Sequence, residues 1–308
     1  MTLVVGTDEA GYGPNLGPLV VAATAWRLAG GPECADAVLA AAGAAAADLW
    51  GDSKRIFRAG AGLGPLERGA MAALAAATGG VPARAAALAA ALGGDHPLAA
   101  APESAACGEL PLPRVLAAAE CRAVAADVAS RLAAGGVALA AVRCRVIHPR
   151  EFNRLLDAGL NKSDVLSQAT LDLAAALAAQ ASEPVLVWCD RHGGRKRYAT
   201  AVARAFATPL VEVLDETPAR SAYRLASTGC RIEFCVGGEA RLPVAVASMT
   251  AKYVRELWMA AFNDHWSALA PGLRATAGYP VDAIRWRREA AHVVGAAGIP
   301  WDDLWRRA

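Results

Sequence analysis

Two adjacent acids at the end of an apolar segment constrain this chain more than any other feature. Residues 3–5 read LVV, the pattern of a buried strand, and Asp8 and Glu9 follow shortly after. An ionised carboxylate in apolar surroundings has to be paired or to hold a metal ion. A regular strand would point Asp8 and Glu9 to opposite faces, so a shared site requires the strand to end or bulge there. The alternative is a solvated turn between two hairpin strands, the second being LVVAA over residues 19–23.

Two later strands are also predicted to end in an acid. The apolar segment PVLVWCD over residues 184–190 ends at Asp190, and the alternating segment RIEFCV over residues 231–236 leads into Glu239. Open α/β folds build their sites where neighbouring strands end at one edge of the sheet. We therefore predict an α/β fold in which Asp8, Glu9, Asp190 and Glu239 converge on one site.

Composition narrows the chemistry of that site. The seven cysteines never occur as Cys-x-x-Cys and the five histidines show no ligand spacing, so a metal ion would have to be held by oxygen atoms. No run of ~20 apolar residues without a break is present, which predicts a cytoplasmic protein that does not enter a membrane. The net charge of +2 does not by itself indicate a polyanionic partner.

Lysine is rare in this chain, and each lysine lies beside small or polar residues. There are four, Lys54, Lys162, Lys196 and Lys252, whereas arginine supplies the other basic residues. Their surroundings suit a phosphate or carboxylate site, although residues 52–54 could equally form a helix N-cap. Lys252 lies on a predicted amphipathic helix over residues 243–262, where it shares a face with Ser248 and with Glu256. We expect Glu256 to form an ordinary exposed ion pair there.

The chain is predicted to be one domain over residues 1–308 with two additions. Residues 79–136 are rich in alanine, glycine and proline and indicate an insertion or a flexible cap, with helices expected at 66–78 and 113–134. Residues 264–308 form a helical C-terminal region rich in arginine and tryptophan. Such a region could lie along nucleic acid, but docking onto its own domain is the more common use.

Several motifs, taken in order, resemble ribonuclease HII, the type 2 ribonuclease H family. They are DEAGYGP with GPLV over residues 8–20, DSK over 52–54, the strand-end Asp190, GEAR over 238–241, ASMTAKYVRE over 247–256, and GYP over 278–280. The resemblance implies a ribonuclease H-like mixed sheet flanked by helices. It also implies cleavage of the RNA strand of RNA–DNA hybrids with Mg²⁺ or Mn²⁺. The catalytic and metal-binding acids would be Asp8, Glu9, Asp190 and Glu239.

The resemblance also implies which residues bind the substrate. The glycine-rich motif and the tyrosine of the last motif would read the ribose 2′-hydroxyl, and cations on the other motifs would hold phosphates. Carried over to this chain, the substrate-binding residues are Gly11, Tyr12, Gly13, Ser53, Lys54, Lys252, Arg255 and Tyr279. Ser248 is assigned to packing of its helix against the sheet.

This chain departs from the family pattern in four places. Tyr12 replaces the arginine or lysine that stands between the glycines, Glu239 replaces an aspartate, the turn after Asp190 reads RHGG instead of continuing with glycine, and residues 79–136 are inserted. Two alternatives therefore stay open: a nucleic-acid-binding protein of this fold without hydrolysis, and a nuclease acting on another nucleic acid. The oligomeric state is not indicated by the sequence.

Overall fold

The computed structural model of the protein describes residues 1–51, 62–93 and 104–307. Two of the predicted substrate-binding residues, Ser53 and Lys54, lie outside the described residues. No helix in the described ranges is long and apolar enough to cross a membrane.

The elements follow the α/β order that the sequence predicts. The strands are β1 (Thr2–Ala10), β2 (Leu19–Leu28), β3 (Val137–Ile147), β4 (Val185–Asp190), β5 (Val211–Glu216), β6 (Arg220–Leu225) and β7 (Arg231–Cys235). The helices are α1 (Ala35–Ala45), α2 (Gly64–Thr78), α3 (Ala85–Ala91), α4 (Ser104–Glu109), α5 (Ala118–Ala134), α6 (Pro149–Asp157), α7 (Lys162–Ala178), α8 (Ala199–Ala205), α9 (Leu242–Leu269) and α10 (Pro280–Ala296). Short 3₁₀ turns cover Pro32–Cys34, Gly238–Ala240 and Trp301–Asp303.

All the strands form one mixed sheet in the order β3-β2-β1-β4-β7-β6-β5. β1 pairs antiparallel with β2 and parallel with β4, and β4 pairs parallel with β7. The parallel strands therefore end at the same edge, beside the two acids of β1. The predicted fold class, a mixed sheet flanked by helices, is confirmed.

The central strand β1 is buried on both faces, which explains its continuous run of apolar residues. Val4 faces the layer that contains α9, α2 and α5, whereas Leu3 and Val5 face the layer of α7 and α8. α9 crosses β1 very closely at Gly6, where an added Cβ would lie 2.3 Å from the backbone carbon of Pro243. Any side chain at position 6 would therefore displace the start of α9, the helix that carries Ser248, Lys252 and Arg255 across the sheet.

Residues 79–136 pack onto the domain wherever the structure describes them. α5 buries Cys121, Val128 and Leu132 in the same core as α2 and β3. The turn that precedes α5 is held by Glu67, a fully buried acid of α2 whose carboxylate accepts the backbone N–H groups of residues 114–116 at 2.6–2.8 Å. In its described parts, this segment is a packed layer of the core.

Three of the differences between the predicted elements and the structure concern the strands and the turns after them. β1 does not end at Asp8 but continues in regular pairing to Ala10, because β2 accompanies it over its whole length. The expected strand end or bulge is therefore not there, and Asp8 and Glu9 start from opposite faces of the sheet. Glu239 does not end a strand: β7 stops at Cys235, Gly237 turns the chain with a φ of 70°, and Glu239 lies on the following 3₁₀ turn. β6, the return strand of the β5–β6 hairpin, was not predicted, since its sequence RSAYRL carries three polar residues.

The C-terminal region docks onto its own domain, as the more common of the two interpretations expects. Trp286 of α10 packs against Phe262 and Trp266 in the second half of α9, with ring centroids 4.9 and 5.7 Å apart. After α10 the chain returns toward β1, and Trp305 forms an isolated antiparallel bridge with Leu16. The end of the chain therefore lies beside the segment that follows the acids of β1.

Candidate active site

The pairing of β1 with β4 brings the first two acids together. Thr7 is the register partner of Cys189, so the next residues, Asp8 and Asp190, are neighbours on parallel strands, at the usual spacing of about 4.8 Å between strands. Asp8 is buried, with 6% of its surface exposed, and its carboxylate accepts a hydrogen bond from Ser248 of α9. The sequence assigned Ser248 to packing alone, although its spacing of four from Lys252 placed both on one face.

The electrostatics show that the acids act on one another. The pKa of Asp8 is raised from 3.8 to about 7, mainly by burial and also by the negative charges of Asp190 and Glu239, against the lowering effect of the Ser248 hydrogen bond. The pKa of Glu9 is also raised well above its usual range, first by burial and then by the charges of Asp8 and Asp190. Such mutual destabilisation of ionised carboxylates is expected where a cation normally compensates them.

The other two acids are held at the end of β4 by the turn after β7. Asp190 Oδ1 accepts the backbone N–H of Gly238 at 2.8 Å, and a Cβ at position 238 would come 3.0 Å from the Asp190 Cα. Glu239 follows directly, and its Oε1 lies 3.9 Å from the Nζ of Lys252. The close approach at Gly238 therefore links Glu239 to Asp190, and α9 supplies a cation beside Glu239.

The donor set suits a hard divalent cation, although the side chains as they stand do not form a finished site. Mg²⁺ and Mn²⁺ prefer oxygen ligands, which these acids supply. Glu9 Oε2 is buried and has no hydrogen-bond partner among the described residues, as expected of an atom that needs a further ligand. Across the described ranges, no three acidic, histidine or cysteine side chains stand close enough together to hold a metal ion. Binding would require the carboxylates to move toward one another.

A cleft of about 920 Å³ opens beside two of the acids. Its lining includes Asp190, Glu239, Trp188, Arg241 and Trp50. The guanidinium of Arg241 lies 4.3 Å from the centre of the Trp188 ring and 3.0 Å from a carboxylate oxygen of Glu233. The acids therefore line open space that a ligand can enter.

The glycine-rich loop, residues 11–17, directly follows the end of β1 at Ala10. Gly11 has a φ of 84°, and a Cβ there would lie 2.5 Å from the Pro18 carbonyl oxygen and 2.6 Å from Arg255 Nε. Both the backbone conformation and the lack of space therefore require glycine at position 11. At Gly13, by contrast, a Cβ would meet no atom of the described residues within 4 Å, so this position faces open space.

Arg255 lies beneath this loop and not at its surface. Its side chain is buried, with 4% exposed, and its Nη2 donates to the Ala277 carbonyl at 2.9 Å. The Gly278 carbonyl in turn accepts the N–H groups of Asn15 and Leu16 at 2.8 and 3.2 Å. Arg255 was predicted to bind substrate, but the structure gives it the position of a support that joins the loop to residues 277–278.

Two tyrosines belong to this side of the site, one within the loop and one at the start of α10. Tyr12 is partly exposed, its pKa is raised by burial and by the charge of Glu9, and Lys162 Nζ lies 4.7 Å from its ring centre. Tyr279 is 55% exposed at the start of α10. In the sequence, Lys162 stands out only as one of four rare lysines, and the spacing of the two residues gives no indication of its contact with Tyr12.

The sequence matches no protein-family model and no curated protein. Its structure is similar to that of ribonuclease H2 from Pyrococcus horikoshii OT3, with a TM-score of 0.50 and 14% identity over 98% of this chain and 92% of that chain. It is also similar to RNase HII in a complex with PCNA from Archaeoglobus fulgidus, with a TM-score of 0.44 and 15% identity over 98% and 93% of the two chains. Bst-RNase HIII in complex with Mn²⁺ gives a TM-score of 0.44 and 16% identity over 99% and 66%. The chain has a ribonuclease H2-like fold.

Proposed function

We propose that this protein is a metal-dependent endonuclease that hydrolyses the RNA strand of RNA–DNA hybrids. The observation that carries the proposal is a group of acids at one sheet edge beside a glycine-rich loop, where the charges of Asp190 and Glu239 raise the pKa values of Asp8 and Glu9. The ribonuclease H2-like fold and the order of the motifs support it. A protein that only bound nucleic acid would gain nothing from concentrated negative charge facing phosphates.

Asp8, Glu9, Asp190 and Glu239 would hold Mg²⁺ or Mn²⁺. The bound ions would supply charge for the leaving oxygen and lower the pKa of a water molecule. The Ser248 hydroxyl fixes the Asp8 carboxylate, and the Gly238 N–H fixes that of Asp190. Lys252 would leave Glu239 for a substrate phosphate when a cation takes its place, since an ammonium is a mobile point charge on a flexible stem.

The loop side of the site would bind the ribose. Gly11 and Gly13 let a nucleic-acid backbone approach closely, and the exposed ring of Tyr279 can stack on a sugar or a base. Tyr12 would add one hydroxyl, with Lys162 as the nearest cation. Ser53 remains a predicted substrate-binding residue and Lys54 a predicted phosphate ligand.

The test is a cleavage assay with one labelled strand in four duplex forms: an RNA–DNA hybrid, duplex RNA, duplex DNA, and duplex DNA with a single ribonucleotide. Each is incubated with Mg²⁺, with Mn²⁺ and with a chelator. We expect metal-dependent cuts in the RNA strand of the hybrid. Cleavage of another duplex in preference to the hybrid would favour the nuclease with a different substrate. Binding of the hybrid without cleavage under any metal condition would favour the non-hydrolytic alternative.

A further inference from the structure

The underside of the glycine-rich loop is held by the last residues of the chain. Arg306 is buried, with 1% of its surface exposed, and its Nη2 donates to the carbonyl of Gly11 at 2.5 Å and to that of Pro14. The backbone N–H of Arg306 donates to the Asn15 carbonyl at 2.7 Å, and Asn15 Nδ2 returns a bond to the Arg306 carbonyl at 3.1 Å. One residue near the end of the chain therefore contacts three positions of the loop.

The tail that carries Arg306 is itself anchored to the domain. Asn153 of α6 donates through Nδ2 to the Trp305 carbonyl at 2.8 Å and accepts the Arg307 N–H at 2.9 Å. The bridge between Trp305 and Leu16 adds a third attachment. Arg306 is therefore a fixed donor and not a flexible surface side chain.

The positive charge of the buried Arg306 guanidinium is compensated in an unusual way. Within the described part of the chain it meets no carboxylate: its partners are the two loop carbonyls and the ring of Phe152, 5.2 Å from its carbon. A buried charge is costly unless polar groups compensate it, and here backbone carbonyls do so. Both bonds come from one nitrogen, Nη2, whose two N–H directions are fixed by the guanidinium plane, whereas a lysine ammonium rotates freely on its stem.

The direction of these carbonyls sets the direction of the loop amides. In a planar trans peptide the N–H points away from the C=O of the preceding residue. Because the Gly11 carbonyl points inward to Arg306, the Tyr12 N–H points away from it. No acceptor for that N–H lies within hydrogen-bonding distance among the residues that the structure describes. An outward N–H beside an open glycine is a donor available to a hydroxyl or phosphate oxygen.

We propose that Arg306 is a positioning residue for substrate binding: it turns the carbonyls of Gly11 and Pro14 inward, so that the Tyr12 N–H faces a ribose or phosphate oxygen of the nucleic acid. The ligand named here rests on the proposed function. The hold of Arg306 on the loop does not, and the two can be tested separately.

The first arm measures amide hydrogen exchange in the full-length protein without nucleic acid. Arg306→Met removes the donors and keeps an apolar stem of similar length. We expect exchange of the Asn15 and Leu16 amides to accelerate about tenfold, equivalent to about 1.4 kcal/mol, while exchange in β4 stays unchanged. Arg306→Lys keeps the charge without the fork and should give a smaller acceleration. Arg307→Met is the matched control, because the Arg307 side chain contacts Asp157 and the Asn153 carbonyl on α6 but not the loop, and it should leave the loop amides as in the wild type.

The second arm measures hybrid cleavage at saturating metal. Arg306→Met should raise KM about tenfold with kcat changed less than about threefold, since uniform binding is lost while the acids are untouched. Arg306→Lys should bring KM part of the way back to the wild-type value.

Unchanged loop exchange in both Arg306 variants would overturn the inference, as would an equal acceleration in Arg307→Met. If Arg306→Met does not fold, Arg306→Lys decides by the same criteria. If the wild type neither binds nor cuts the hybrid, the proposed function falls, while the exchange arm still decides whether Arg306 holds the loop.

Discussion

The two sides of the candidate site are built in opposite ways. The acid side consists of carboxylates at or just beyond the ends of β1, β4 and β7, and the negative charges of Asp190 and Glu239 raise the pKa values of Asp8 and Glu9. The loop side has two buried arginines, Arg255 and Arg306, beneath a backbone that carries no acid between residues 11 and 17. Gly11 and Arg306 lie 295 positions apart in the chain. The comparison indicates that one side would hold cations for the chemistry and the other would fix backbone donors for recognition.

If this division is correct, changing the acid side should abolish hydrolysis and spare binding. Asp190→Asn keeps an oxygen that can accept the Gly238 N–H but removes the charge from a proposed metal ligand. We expect kcat to fall by about a thousandfold or more, a barrier increase of about 4 kcal/mol, with hybrid affinity unchanged or improved because repulsion of phosphates decreases. Cleavage and filter-binding assays on the same hybrid measure both.

Asp127→Asn on the surface of α5 is the control for Asp190→Asn, because it also removes one carboxylate and leaves the sheet edge untouched. Turnover of Asp190→Asn at nearly the wild-type rate would show that Asp190 is not a metal ligand and would end the proposed division of the site.

The acid side should also make the metal-free protein sensitive to pH. The pKa of Asp8 is raised from 3.8 to about 7 on folding, so the folded protein binds a proton in that window that the unfolded chain has already lost. Stability of the metal-free protein should therefore be highest below this window and fall as the pH rises from about 4 to about 7. Mg²⁺ or Mn²⁺ should restore stability most at the alkaline end, since the ions bind the ionised carboxylates. Thermal unfolding curves with chelator and with metal check this.

Asp8→Asn sharpens the pH prediction because it removes the titrating group at almost constant volume. Its metal-free unfolding temperature should change less across the same window, and added metal should raise it less. A wild-type protein whose metal-free stability rises through this window would contradict the raised pKa of Asp8.

The same difference between the two sides explains what the sequence could predict. Asp8, Asp190 and Glu239 can be proposed from the sequence because each lies at or after an apolar segment, which is a local pattern. The structure differs in where two of the strands end, since β1 continues past Asp8 and Glu239 lies on the turn after β7. Arg306 has no such pattern, since its role depends on how α10 docks on α9 and returns the chain to the loop. The depth of Arg255 has no local signal for a related reason: its position on α9 is clear from periodicity, but its burial depends on residues 277–278, which pack over it.

Lys162 offers a smaller test, on the loop side. Its ammonium lies over the ring of Tyr12 and has no carboxylate partner among the described residues. In the proposed function, Lys162 therefore contacts a phosphate. Lys162→Gln should weaken hybrid binding several-fold and reduce the slope of log affinity against log salt by about 0.7–0.9, the value of one phosphate contact. Arg27→Gln is the control, because Arg27 pairs with Glu183 at the opposite end of β1 and β2. An identical salt slope in Lys162→Gln and the wild type would remove Lys162 from the interface.

The smallest expected effect concerns which ribonucleotides the loop accepts, and it depends on Tyr12. An arginine between the glycines would offer a charged fork of donors, whereas tyrosine offers one neutral hydroxyl and a ring that stacks on a sugar or base. The outward N–H and the open Gly13 keep some recognition of the 2′-hydroxyl. We therefore expect the wild type to cut hybrids with several consecutive ribonucleotides better than duplex DNA with a single ribonucleotide.

Tyr12→Arg should narrow the ratio of these two cleavage rates by a few-fold, because one added donor contributes about 1 kcal/mol, and Tyr12→Phe should leave it unchanged or widen it. Equal wild-type rates on the two substrates, or a ratio that Tyr12→Arg does not move, would mean that ribose is read elsewhere in the site.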